Sequence, residues 1–322
     1  MNELLKGRGL FIYSDPGGAK PVLSLVNSLK NLSAYQIISD REYFFAKIFE
    51  VTVSPFNDNE EEIIRNFHPD FIFTGTSYTS KIELRFLKKA HKMKIPSISF
   101  VDHLTSIKER FRLNEEFVFP NKIWLIDEEA KKIALREEIA ADKIIVNENP
   151  YHTYLKNWKP KISRKDFFAS VHVSENKKII VFAPDPLTSV GGKDKFGFDE
   201  ISVLSEILAC LEQIDQNKKY QLVIQLHPNQ QTEKITELIQ IRNLPFVTLV
   251  TSQIETNELL FYSSSVIGFF SNILLEAKVF EKKILRLLLH SKINDPFEYL
   301  AVGDVIKTPE KLKTALTSLI KN

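Results

Sequence analysis

Short apolar runs alternating with helical patterns predict an α/β protein made of two doubly wound parallel sheets. Three observations carry that prediction. The runs are apolar throughout instead of alternating, as strands buried on both faces are. Helical stretches separate them, so successive strands are joined by crossovers. The rhythm also stops once, around 147–165, where Pro150 and Pro160 fall among lysines and aromatics, and then begins again. The expected division is a first domain at 1–155, a second at 156–307, and a closing helix at 308–322 offered as packing back on the first domain.

In chain order, the first half has candidate strands at 9–13, 35–39, 70–74, 97–101, 122–126 and 143–146. Helices are expected at 19–32, 42–49, 60–67, 81–92 and 127–139. Asp127 suits the cap of the last of these, and Glu128 and Glu129 suit its first turn, where carboxylates meet the positive end of the helix dipole. The second half opens with a strand at 178–183 and an irregular polar loop rich in glycine, a pattern that often marks a binding lid. The following helix, 199–215, shows helical spacing in Ile201, Leu204, Ile207, Leu208 and Leu211. Strands at 220–226, 246–250, 266–270 and 283–289 then alternate with helices at 231–242 and 256–262 and one that opens at Ser271. Pro309 after Thr308 is a sound start for the final helix, 309–320.

The totals narrow the function. A chain of 322 residues with 43% hydrophobic and 26% charged residues has the composition of a soluble globular protein. Its net charge of +2 creates no strong field toward nucleic acid or an anionic membrane. The one cysteine, Cys210, excludes an internal disulfide and a multi-cysteine zinc site. The amino-terminal apolar segment is short for a signal peptide, and no apolar run approaches the roughly 20 residues that span a bilayer. The cytoplasm is the expected location, with the inner face of a membrane as the alternative. No HExxH, HxH or acidic DxD pattern occurs, so neither a metal nor a cofactor is expected. GxSxG is also missing, which removes the usual signature of serine hydrolysis.

In doubly wound sheets ligands lie beyond the carboxyl ends of the strands, and the polar clusters of this chain fall there. After the first strand come Asp15, Gly17 and Gly18, two glycines that let the backbone turn tightly before a helix. The hydroxyl-rich stretch 74–80 follows the third strand and suits either helix capping or sugar hydroxyls. Asp102 and His103 follow the fourth strand, and an imidazole beside an acid is a candidate general base; a hydrogen-bonded Asp with an exposed His reads equally well. In the second half, His227 and Pro228 end a strand between Gln225 and Asn229, where the imidazole can meet a phosphate or carboxylate. Ser271 then opens a helix, with Asn272 and Glu276 on one face. Such a turn offers unpaired N–H groups to a phosphate and a carboxylate to ribose, although an ordinary capped helix has the same residues.

His227-Pro228, the serines at 263–265, Ser271-Asn272 and Glu276-Ala277 together resemble the donor-nucleotide domain of GT-B-type glycosyltransferases. The pairing of an HP motif with a serine motif is similar to bacterial sialyltransferases, polysialyltransferases, Kdo transferases and CDP-glycerol glycerophosphotransferases. UDP-N-acetylglucosamine 2-epimerases share the fold. The resemblance covers the second half and implies two Rossmann-like domains facing a cleft. It implies that His227 and Pro228 meet the donor phosphate or carboxylate, that Ser271 and Asn272 bind phosphate, and that Glu276 holds ribose. Gly17 and Gly18 are candidates on the same donor. The acidic pair before glycine that sialyltransferases use as base is absent, leaving Asp102, His103 and Asp15 as candidates. The expected activity is metal-independent sugar transfer from a CMP- or UDP-sugar to a glycan or lipid-linked acceptor in surface polysaccharide synthesis. The alternatives are a UDP-sugar 2-epimerase or hydrolase and a non-catalytic assembly protein of the same fold.

Overall fold

The computed structural model describes residues 4–41, 45–103, 106–214, 219–227, 230, 232–250 and 254–321. It divides into two compact units, Met1–Asn157 and Trp158–Asn322.

The first unit begins β1 (Gly7–Tyr13), α1 (Pro16–Ser28), β2 (Leu32–Ser39), α2 (Phe45–Ile48), β3 (Ser54–Pro55), α3 (Glu60–Phe67) and β4 (Phe71–Thr74). It continues α4 (Ile82–Met93), β5 (Ser97–Val101), a 3₁₀ turn (Lys108–Phe111), and the short hairpin β6 (Arg112–Leu113) and β7 (Glu116–Phe117). The last elements are β8 (Lys122–Leu125), α5 (Glu128–Arg136), β9 (Ile144–Val146) and α6 (Pro150–Lys156). Seven parallel strands lie in the order β3-β2-β1-β4-β5-β8-β9. The apolar residues of β1, β4, β5 and β8 are buried, as expected for a sheet covered on both faces. Asp127 caps α5 by accepting from Ala130 N. The expected linker is helical at its start: Asn149 caps α6, and Tyr151 and Leu155 bury that helix in the first unit, with Phe49 packed on the rings of Tyr151 and Tyr154.

The second unit contains α7 (Arg164–Ser170), β10 (Lys178–Ala183), α8 (Gly192–Phe196), α9 (Glu200–Ile214), β11 (Tyr220–Gln225), α10 (Glu233–Arg242) and β12 (Val247–Val250). After these come α11 (Thr256–Tyr262), β13 (Ser265–Gly268), α12 (Asn272–Val279), β14 (Lys283–Leu287), β15 (Asp304–Ile306) and α13 (Pro309–Lys321). Its six parallel strands run β12-β11-β10-β13-β14-β15. Each unit is thus a Rossmann-like sheet in which the chain winds outward from the first strand, then returns to its other side with the fourth. The switch points lie between β1 and β4 and between β10 and β13.

Two expectations are corrected. The terminal helix α13 is not a separate segment but part of the second unit, where Leu312, Leu316 and Leu319 join the core beside α9 and β15. The polar stretch after β10 is not a loose lid. It folds as a 3₁₀ turn (Leu187–Val190) and α8, and Leu187, Phe196 and Phe198 are anchored in the same core. Gly197, at φ +87°, lies so close to His290 O that a side chain there would overlap it.

Candidate functional site

At the switch point of the first unit, the β1–α1 turn meets the loop after β4. The Cα atoms of Gly18 and Gly75 approach closely; a Cβ on Gly75 would lie 2.8 Å from Gly18 Cα. Asp15 stands at the cap of α1 but makes no side-chain capping bond to that helix. Its carboxylate instead accepts from Tyr78 N (2.8 Å) and Thr79 N (3.2 Å), takes the Thr79 hydroxyl, and pairs with Arg41 at 3.4 Å. Asp15 therefore ties two loops together, a structural use that the sequence reading had not given it.

Beneath this contact lies Glu83, 2% exposed, in the first turn of α4. One of its oxygens accepts from Ser14 N (3.1 Å) and Ser77 Oγ, and Ser77 Oγ in turn accepts from Asp15 N (2.9 Å). Burial pushes the Glu83 carboxyl up to about 7, the Ser77 bond opposes that, and the charges of Asp15 and Asp40 reinforce it.

Asp102 stands just past β5, against the first turn of α1, where a Cβ on Gly17 would overlap its carboxylate. Glycine at 17 is thus required by a side chain of its own unit. Arg110, 5% exposed, donates through one Nη to Asp102 (3.1 Å) and Thr76 Oγ1 (3.2 Å) and lies 4.4 Å from the centre of the Tyr78 ring. A buried guanidinium on a carboxylate makes a positioned ion pair, and a proton acceptor is better sought next door. Burial lowers the pKa of His103 below the usual histidine range; the Asp102 charge opposes this and Arg110 reinforces it. His103 is then neutral near pH 7 and able to accept a proton.

In the second unit, β10 ends at Ala183 and β13 at Gly268, paired in register. Gly268 allows this closeness, since a Cβ there would sit 2.9 Å from Ala183 O. Beyond them, Ser271 caps α12 with extended backbone and makes no side-chain bond to the helix. The first-turn N–H groups of α12 therefore receive nothing from the Ser271 side chain, the condition that favours an anion. Asn272 is the first helical residue. Glu276, one turn on, is only 3% exposed, so a ribose contact through it requires neighbouring side chains to part.

The turn before Ser271 is held from two sides. Asp185, just past β10, accepts from Phe270 N at 3.3 Å. Arg286 of β14, 1% exposed, donates Nε to Phe269 O (3.0 Å) and pairs through Nη1 with Asp295 (2.9 Å). Burial drives the Asp185 carboxyl up to about 7, the Phe270 bond opposes it, and the Glu200 charge adds to it. Glu200 is buried in the first turn of α9 and accepts from Thr188 N (3.0 Å) and Thr188 Oγ1.

His227 stands past β11, half-buried, with burial lowering its pKa. Its backbone N–H donates to Gln230 Oε1 (3.2 Å), and the Gln230 backbone N–H returns a bond to His227 O (2.9 Å). Pro228 lies outside the described residues.

The structure thus brings Gly17, Asp102 and His103 to one switch point of the first unit, and Ser271 and Asn272 to that of the second. Sequence reasoning missed Glu83, Arg110, Glu200 and Arg286. Three of them left a signal. Glu83 falls on the apolar stripe with Phe86, Leu87 and Ala90, and Glu200 on that with Val203, Leu204 and Ile207. Arg286 interrupts an apolar strand. An acid or base inside an apolar pattern is a candidate for a buried, bonded role.

Among the described residues, no group of three or more His, Cys, Asp or Glu side chains could hold a metal ion, and no helix is long and apolar enough to cross a membrane. No protein-family model matches the chain, and no curated protein does. Solved structures do. That of UDP-GlcNAc 2-epimerase from Neisseria meningitidis bound to UDP-GlcNAc is similar with a TM-score of 0.71 and 16% identity, over 98% of this chain and 91% of that one. The UDP-GlcNAc 2-epimerase of Methanocaldococcus jannaschii gives 0.70 and 14%, over 98% and 93%. Anabaena HepE in complex with UDP-glucose gives 0.65 and 13%, over 98% and 90%. At such identities the likeness establishes the fold: two Rossmann-like domains of GT-B type.

Proposed function

We propose that this chain is an enzyme acting on a UDP-sugar, and that it alters the sugar of its substrate without an acceptor, as a 2-epimerase or hydrolase. The second unit binds the nucleotide diphosphate at the start of α12, and the first carries the proton-transfer group, His103. The observation that supports this reading most is the start of α12 at Ser271, a helix end at a sheet switch point whose cap side chain makes no bond to the helix. Solved structures of the same fold are bound to UDP-GlcNAc and to UDP-glucose, which selects UDP over the other nucleotides as the first ligand to try.

Either chemistry needs a proton acceptor and a stabilised departing diphosphate. His103 is the better acceptor than Asp102, whose carboxylate is paired with Arg110. Asp15, committed to Tyr78, Thr79 and Arg41, is withdrawn from the catalytic set. Incubation with UDP-GlcNAc alone, followed by NMR, tests the reading. Appearance of a C2 epimer or of free sugar and UDP supports it, and loss of that turnover in His103→Ala with UDP binding intact supports the division of labour.

Transfer of the sugar to a glycan or lipid-linked acceptor in surface polysaccharide synthesis is the second reading. The order of His227 and Ser271, similar to transferase donor domains, favours it. Strict dependence of turnover on an added acceptor would select it over the first. A thermal-shift series with CMP, CDP, UDP and GDP checks the donor site shared by both, since ligand at 100 times its Kd stabilises by about 2.7 kcal/mol.

A further inference from the structure

Asp185 is a carboxyl group placed where an anion is proposed to bind. It follows the central strand β10 at the switch point of the second unit, and its Oδ2 accepts from the N–H of Phe270, the residue before the α12 cap. An ionised carboxylate there would oppose a diphosphate. Three features of its surroundings act on that charge. Protein atoms crowd the carboxyl, although the residue retains some exposure. The neighbouring charge that raises it is that of another acid, Glu200 of α9, itself held by Thr188. Among the described residues no lysine or arginine forms an ion pair with it. Arg286, bonded to Phe269 O and paired with Asp295, holds the other side of the same turn, while His227 stands beyond β11 and Glu276 one turn into α12.

We infer that Asp185 binds substrate as a neutral carboxylic acid, donating its proton in a hydrogen bond to the diphosphate held at Ser271. This rests on the nucleotide-sugar reading and adds to it a residue and a pH dependence. The acid form supplies a donor beside an oxyanion, and the ionised form repels it. Because burial and Glu200 raise this group to about 7, the proton is lost near neutrality. Affinity is therefore greatest below that pH and falls as pH rises through it.

UDP-GlcNAc is the right probe, since its diphosphate diester carries no group that titrates in this range. Its Kd, measured by calorimetry on the full chain, should weaken about tenfold between pH 6 and pH 8, following the neutral fraction of a group with this pKa. Asp185→Asn keeps a neutral donor at every pH, and its Kd should stay flat across the range. His227 titrates lower and is present in both proteins, so any dependence it creates remains in the variant. Glu200→Gln removes the neighbouring charge and should move the wild-type transition to lower pH, a second readout if Asp185→Asn folds poorly. Equal pH dependence in wild type and Asp185→Asn, or an unmoved transition in Glu200→Gln, overturns the role of Asp185 while leaving the nucleotide site standing. Failure of the wild type to bind UDP-GlcNAc at any pH overturns the site and, with it, this inference.

Discussion

The two units have the same winding and both bring a carboxylate to the turn at their switch point, but the two carboxylates have opposite company. Asp102 in the first unit meets Arg110 at 3.1 Å and is lodged against the first turn of α1. Asp185 in the second has an acid, Glu200, for its neighbour and accepts from one backbone N–H at 3.3 Å. A buried carboxylate with a guanidinium is held as half of a charge pair. One with an acid beside it and protein atoms crowding it is pushed toward its neutral form. The first switch point is thus occupied by the protein's own charges, and the second is the one we propose for an anion from outside.

The largest effect expected from breaking this contrast is that of Asp102→Ala. It leaves the Arg110 guanidinium buried without its carboxylate and should cost about 3–5 kcal/mol, read as a lower urea midpoint. A cost below about 1 kcal/mol would show that the pair does not organise the first switch point.

Glu83→Gln should act in the other direction. The Glu83 carboxyl titrates near 7 when folded and in the ordinary carboxylate range when unfolded. Between those values the folded chain holds the extra proton, so stability falls as pH rises. Glutamine preserves the acceptor for Ser14 N and Ser77 Oγ without the charge. The variant should match the wild type at pH 4 and exceed it at pH 8 by up to about 3 kcal/mol. Equal stability at both pH values would refute the buried-acid assignment.

Gly75→Ala brings a Cβ to 2.8 Å of the Gly18 backbone and should cost about 1–3 kcal/mol by overpacking. The smallest stability change belongs to Ser271→Ala. Since its side chain makes no capping bond, the loss should be under about 0.5 kcal/mol, below the usual figure for a serine cap. UDP affinity should nevertheless drop about tenfold, the worth of one hydrogen bond to a charged group. A variant that lost stability and kept its affinity would make Ser271 a structural cap and close the contrast between the units.

Much of the fold was legible because parallel strands buried on both faces write themselves as unbroken apolar runs. The strands Ser97–Val101 and Lys178–Ala183 and the helices Glu60–Phe67 and Thr256–Tyr262 stand where the pattern put them. The two-residue strands β3, β6 and β7 are too short to leave a periodicity, and α6 begins at a proline in a stretch that read as linker. For the site, local chemistry pointed to Ser271, because a serine between an apolar run and a helix is visible in one dimension. The partners of Asp15 and Asp102 were not visible, because they come from residues 78, 79 and 110, brought close by the crossing of strands and loops.

The amino-acid sequence by itself therefore determined the alternation of strands and helices, the break between two βα units, and which loops carry polar side chains. These follow from nearest-neighbour periodicity, which a chain holds before it folds. Only the tertiary structure decided the state of each acid. Ionisation depends on desolvation and on charges within a few ångströms, and those distances are set by which strands lie side by side. Hence Asp102 is paired, burial raises the Asp185 carboxyl to about 7, and Glu83, on a helix stripe among apolar residues, lies buried beneath the first switch point.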